Sequence, residues 1–325
     1  MVAKALITFN VKRWGIIVIV LMSMTGIAMA RPDLSQPVGP TLADSGSAYY
    51  RFSRFELDSA DSQRHYRIWI AEPKRAASAG GRPVIYLLDG NAALATLDEP
   101  LLAELDGHEP PVIVAVGYAT DLRFDTTARA YDYTPPLPGG KPVIDDIARE
   151  RKGGGADVFL DLLEQKIKPQ VETRISVDPQ RQILWGHSYA GLFALHTLLT
   201  RPKSFQTYIA ADPSIWWQNG FILEEEKAFK GPSSPVRLML MRGMAERQRD
   251  NGDATSAVVR ARQQAAAAVP PDAAARMAER LAAYPAMQVS YREFADLGHG
   301  PMLPASLIEA LRMAAGAVQN DKGGQ

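Results

Sequence analysis

The sequence predicts an α/β fold: a mostly parallel, doubly wound sheet with helices on both faces. Three observations carry this expectation. Unbroken apolar runs bounded by turn residues recur along the chain, helical or loop material separates them, and 46% apolar content over 325 residues suffices for one large core. A single α/β domain of about 250 to 300 residues accounts for the length.

Taken in order, the segments Tyr50 to Leu57 and His65 to Ala71 read as a strand pair joined by the polar stretch Asp58 to Arg64. Pro83-Val-Ile-Tyr-Leu-Leu88 is an unbroken apolar run that ends at Asp89-Gly90, as suits a strand buried on both faces. Similar runs follow at Val112 to Val116, Gln182 to Trp185, Thr207 to Ala210, Val236 to Met241 and Gln288 to Phe294. Asp157 to Val171 has helical apolar spacing until Pro169 bends or ends it, and Tyr189 to Thr200 is apolar enough for a buried helix. Thr255 to Ala268 and Asp272 to Ala283, split by Pro270-Pro271, read as two surface helices. Tyr118 to Gly155 and Pro213 to Gly231 lack regular patterning. Their aromatic residues favour ordered walls of a site over disorder.

The N-terminus differs in kind. Lys4, Lys12 and Arg13 precede the apolar run Trp14 to Met22, and Ala28-Met29-Ala30 supplies an A-x-A cleavage site. Residues 1–30 therefore read as a signal peptide, or as an N-terminal anchor, since Trp14 to Ala30 reaches the roughly 17 residues needed to cross a bilayer. Residues 31–47 follow as a linker, 48–318 as the catalytic domain and 319–325 as a tail. Either reading of the N-terminus exports the domain, in a bacterium to the periplasm, with an inner-membrane tether if the segment is retained. Basic and acidic side chains both total 36, which gives no electrostatic reason to expect nucleic acid and leaves small molecules or proteins as substrates. The absence of cysteine excludes a disulfide framework, a thiolate metal site and a cysteine nucleophile.

Gln182 to Leu195 runs strand, small-residue turn, helix, which is the setting of a nucleophile elbow. Ser188 is the candidate nucleophile, because Gly186 and Ala190 are small enough to flank a strained turn that exposes its hydroxyl. The candidate base is His299, set between Gly298 and Gly300 just after the last strand, where chain order places it. The acid is expected in the turn after Met241, with Glu246 nearest and Asp250 and Asp253 behind it; a Ser-His dyad oriented by a backbone carbonyl is the other possibility. Backbone N–H groups of Tyr189 and of the Asp89-Gly90-Asn91 loop match the oxyanion-hole positions. No metal-binding, P-loop or dinucleotide motif is present, so the chemistry calls for no cofactor and no metal.

Several further motifs accompany these residues: Tyr86-Leu-Leu-Asp-Gly-Asn91, Val116-Gly-Tyr118, Arg129 with Tyr131-Asp-Tyr-Thr-Pro135, Gly154-Gly-Ala-Asp157, Asp212-Pro-Ser-Ile-Trp-Trp217 and Leu297-Gly-His-Gly-Pro301. With them, residues 45 to 315 resemble the esterase superfamily of S-formylglutathione hydrolase, and within it the periplasmic trilactone esterases of enterobactin-type siderophores. The resemblance implies the α/β-hydrolase fold and a serine esterase that opens lactone bonds of a ferric or iron-free catecholate siderophore through an acyl-enzyme. It also implies a Ser-His pair without a well-placed acid. Arg129, Trp216 and Trp217 would line a wall for an anionic aromatic ligand, or else be structural, with Arg129 paired to Asp132. Ala190 stands where the family usually has glycine. A general exported carboxylesterase or acyl transferase, and a binding module that holds a siderophore without cleaving it, are the competing readings.

Overall fold

The computed structural model describes residues 36–77, 80–140, 142–146, 151–245 and 257–317. Every described residue belongs to one compact unit, Asp33–Gln325. The expected signal segment and C-terminal tail lie outside the described residues.

In chain order the elements are α1 (Leu42–Ser45), β1 (Tyr50–Asp58), β2 (His65–Pro73), β3 (Arg82–Leu88), α2 (Gly90–Leu94), α3 (Glu99–Asp106), β4 (Val112–Tyr118), α4 (Ala128–Asp132), β5 (Val143–Asp146), β6 (Arg151–Gly153), α5 (Ala156–Leu162), α6 (Lys168–Glu172), β7 (Val177–His187), α7 (Tyr189–Thr200), β8 (Thr207–Ala211), α8 (Phe221–Ala228), β9 (Val236–Gly243), α9 (Ala257–Ala267), α10 (Ala273–Ala282), β10 (Met287–Phe294) and α11 (Met302–Ala314). All eight strands expected from the apolar runs form, in one sheet of order β1-β2-β4-β3-β7-β8-β9-β10. β1 to β2 and β2 to β4 are antiparallel, and the remaining neighbours are parallel.

The unbroken runs become interior strands because both their faces are covered. Along β3, Val84, Tyr86 and Leu88 face a core shared with α5, α7 and α10, while Ile85 and Leu87 face the opposite core against α3 and α11. β1 and β10, at the two edges, alternate buried or half-buried with exposed residues along much of their length, as one covered face requires.

Three segments are more ordered than their sequence suggests. Residues 41–45, within the expected linker, form a one-turn helix whose Thr41 and Asp44 make a capping box, and Leu42 packs against the core under α3 and α11. The unpatterned stretch 118–155 contains α4 and the hairpin β5–β6, and 213–231 contains α8. Pro169 does not end the helical run: a wide π-turn over Leu163–Ile167 leads directly into α6, with Pro169 in its first turn.

A buried charge ties α7 to its neighbours. His196, 1% exposed, lies 2.9 Å from the Glu225 carboxylate of α8 and 3.4 Å from that of Asp157 in α5. Burial would lower its pKa, but hydrogen bonds to the two carboxylates outweigh this and raise it to about 9. The folded state therefore holds a proton that the unfolded chain releases near pH 6.5, so this contribution is complete below about pH 6.5 and is lost as pH rises through about 9. Urea unfolding at a series of pH values checks this: wild-type stability falls across that window, and His196→Gln, less stable throughout, lacks that part of the slope.

Candidate active site

β7 delivers Ser188 at the carboxyl edge of the sheet. Its backbone angles, φ 63° and ψ −118°, lie outside the regions open to ordinary residues, so the turn is strained. Gly186 permits the turn: a Cβ there would sit 2.2 Å from the Ala190 carbonyl oxygen. The strained residue is held by its backbone, with Ser188 N–H donating to Ala211 (3.0 Å) and Ser188 C=O accepting from Leu192 and Ser214. Its hydroxyl faces two groups, His299 Nε2 at 3.0 Å and Ser214 Oγ at 3.3 Å.

His299 stands between β10 and α11, in the expected place. Its Nδ1 is hydrogen-bonded to Asp212 Oδ2, and Asp212 follows β8 with a positive φ of 40°. A carboxylate, and not a backbone carbonyl, therefore orients the ring. Glu246, Asp250 and Asp253, the expected acid candidates, lie outside the described residues. Burial of Asp212 would raise its pKa, but the His299 hydrogen bond and the basic side chains around it hold it below the usual carboxylate range. An ionised Asp212 accepts from Nδ1–H of His299, and in the neutral ring this tautomer leaves the Nε2 lone pair facing Ser188.

His187 adds a feature that its place in the elbow did not disclose. Its ring lies 4.6 Å from the His299 ring, and its Nε2–H donates to the His299 carbonyl (2.8 Å). Burial, and then the neighbouring His299, push its pKa down to about 3, so it stays neutral. His187, Asp212 and His299 also form a compact donor set of the kind that can hold a metal ion.

The oxyanion candidates sit on adjacent strand ends, since β3 runs parallel beside β7 with Leu87 opposite Trp185. Gly90 packs directly on β4, where a Cβ would lie 2.7 Å from the backbone of residues 115 to 117. The Asn91 side chain is spent on the next loop: it accepts from Tyr118 N–H and donates to the carbonyls of Tyr118, Thr120 and Leu122. Gly90 and Tyr189 are the first residues of α2 and α7.

Of the expected wall residues, Arg129 makes a two-pronged ion pair with Asp89, at 2.9 and 2.8 Å, and not with Asp132. Asp132 is instead buried among Arg64, Tyr66 and Tyr118. Tyr133 accepts from Asp89 N–H, so the Tyr131-Asp-Tyr-Thr-Pro135 motif supports the Asp89 turn from beneath. Trp217 is 2% exposed and donates to Asp145, whereas Trp216 is half-buried with its ring 6.1 Å from Tyr189. Removing one partner of a buried ion pair strands the other charge. Arg129→Ala is therefore expected to lower stability by about 3–5 kcal/mol in denaturant titration, where loss of a mere substrate contact would leave stability intact.

The geometry agrees with what this chain is similar to. Residues 59–270 match the family model Esterase. The apo-salmochelin esterase of Escherichia coli O6:H1 is 39% identical over 296 residues, covering 91% of this chain and 88% of that protein. The ferri-bacillibactin esterase of Bacillus subtilis is 34% identical over 275 residues, covering 79% and 87%. Among solved structures, the enterobactin hydrolase IroE in complex with DFP superposes with a TM-score of 0.67 at 38% identity, covering 85% of this chain and 100% of that one. With a family match over more than half its length and relatives of this identity and coverage, the chain belongs to the Esterase family and is a carboxylic ester hydrolase of the α/β-hydrolase fold.

Proposed function

We propose that this enzyme opens the lactone esters of a catecholate trilactone siderophore, ferric or iron-free, through an acyl-enzyme on Ser188. The observation that supports the chemistry is the hydrogen-bond chain from Ser188 Oγ to His299 to Asp212. Support for the substrate comes from the relatives named for salmochelin, bacillibactin and enterobactin.

In this reading Ser188 Oγ attacks the lactone carbonyl while its proton passes to His299 Nε2. Asp212 stabilises the imidazolium through Nδ1, and the neutral His187 ring beside it adds no second positive charge. Negative charge on the former carbonyl oxygen is met by the N–H groups of Tyr189 and of the Gly90 turn. Collapse expels the serine-derived alkoxide, which takes the proton from His299, and water then repeats the sequence to free the acid. Arg129, closed on Asp89, acts by holding the Gly90 turn.

The domain works outside the cytoplasm in this proposal. The basic, apolar and small-residue order of residues 1–30 supports export to the periplasm with cleavage after Ala30. N-terminal sequencing of the periplasmic protein should begin at Arg31, and a chain beginning at Met1 in the membrane fraction would instead mean an inner-membrane tether.

Ser188→Ala should lower ester hydrolysis by about 10³-fold or more with folding preserved, and Asp212→Ala by about 10²-fold or more. Glu246→Ala should stay near wild type. The deciding measurement is a chromatographic time course with enterobactin, its ferric complex and p-nitrophenyl butyrate beside Ser188→Ala. Preferential, Ser188-dependent opening of the trilactone supports the proposal. Turnover of the butyrate alone leaves a general exported carboxylesterase, and binding without turnover a siderophore-binding module.

A further inference from the structure

The hairpin β5–β6 carries one carboxylate whose position none of the steps above explains. The Asp145 side chain is 0% exposed, although it lies in a stretch without sequence patterning. Its Oδ2 pairs with Arg151 of the same hairpin, at 2.7 Å from Nε and 2.5 Å from Nη2. Its Oδ1 accepts from two other segments: Tyr189 Oη at 2.8 Å and Trp217 Nε1 at 3.0 Å. Tyr189 immediately follows Ser188, and Trp217 lies five residues after Asp212 in the loop that leaves β8. One buried acceptor thus joins the hairpin to the loop of the nucleophile and the loop of the carboxylate that orients the base.

A carboxylate removed from water must have its lone pairs met, and here three donors from three segments converge on it. Arg151 offsets the charge and is itself anchored by donating to the Thr126 carbonyl (3.2 Å). The ring of Tyr189 also meets the Arg129 guanidinium, 5.4 Å from the ring centroid, and the Trp216 ring at 6.1 Å. Tyr189 is therefore held at its hydroxyl as well as at its ring.

We propose that Asp145 is a positioning residue for ester hydrolysis: from the β5–β6 hairpin it clasps Tyr189 and Trp217, and through Tyr189 it sets the oxyanion-binding N–H next to Ser188. The proposal rests on Ser188 being the nucleophile, but not on the identity of the ester. Asp145 touches neither the substrate nor the reacting atoms; its effect passes through Tyr189.

The test uses the full-length enzyme, p-nitrophenyl butyrate as substrate, and an organophosphate that releases p-nitrophenol on reaction with an activated serine, which counts reactive sites. Asp145→Ala and Tyr189→Phe should each lower kcat per titrated site by about tenfold with KM little changed, because a displaced donor weakens transition-state binding more than substrate binding. Asp145→Asn keeps an acceptor for Tyr189 and should recover most of the loss. The double variant Asp145→Ala/Tyr189→Phe should be no slower than Asp145→Ala alone, because both changes remove the same link. Three results would overturn the proposal: additive losses, an unchanged kcat per titrated site with fewer titratable sites, or Asp145→Asn as slow as Asp145→Ala. If wild type fails to titrate and Ser188→Ala retains turnover, the fault lies instead with the nucleophile assignment.

Discussion

The active site depends on the register of three parallel strands. His187 pairs with Ala211, and Ala211 with Met241, so β7 and β8 end level beside β9 and the residues that follow, Ser188 and Asp212, emerge side by side at one edge. Hydrogen bonds extend the register past the strand ends: Ser188 N–H donates to Ala211, and Asp212 N–H to Met241. Both residues have positive φ, a conformation that costs free energy and persists only where surrounding bonds over-determine it. The sheet supplies those bonds. A one-residue slip of β8 would carry Asp212 away from His299 and turn its core side chains to the wrong face.

The site rests on polar groups buried beneath it as much as on those that face a substrate. Arg129 closes on Asp89, Tyr133 supports the same turn from below, and Asp132 gathers Arg64, Tyr66 and Tyr118. Such groups carry a desolvation cost that only complete hydrogen bonding offsets, and complete bonding leaves each turn a single geometry. This accounts for motifs whose polar side chains are taken up by the scaffold in the fold.

The strands and the strained turn that carries Ser188 were legible because their signals are local. A strand buried on both faces must be apolar throughout, and a strained serine must be flanked by small residues, so both constraints are written at the position itself. Ser188 and His299 consequently meet as expected. The carboxylate partner of His299 was not legible, because it follows β8 and does not lie in the turn after β9. Asp212 stands in the quoted Asp-Pro-Ser-Ile-Trp-Trp motif, but only the pairing of β8 with β7 shows that it reaches the imidazole. The partner of Arg129 was hidden in the same way, since 40 residues separate it from Asp89. Of the two tryptophans, adjacent in sequence, burial alone assigns Trp217 to the interior and leaves Trp216 half-buried.

Ala190 has a consequence for the chain before it folds. Its methyl sits in the space left by Gly186, in a helix where alanine is unstrained. A glycine there would give the unfolded ensemble more backbone freedom to lose, a difference of about 0.4–1 kcal/mol in favour of alanine at a compatible position. Part of the strain stored at Ser188 is thus offset two residues away by a denatured state with fewer conformations. The stability of this elbow accordingly depends on the disordered chain as well as on the folded one.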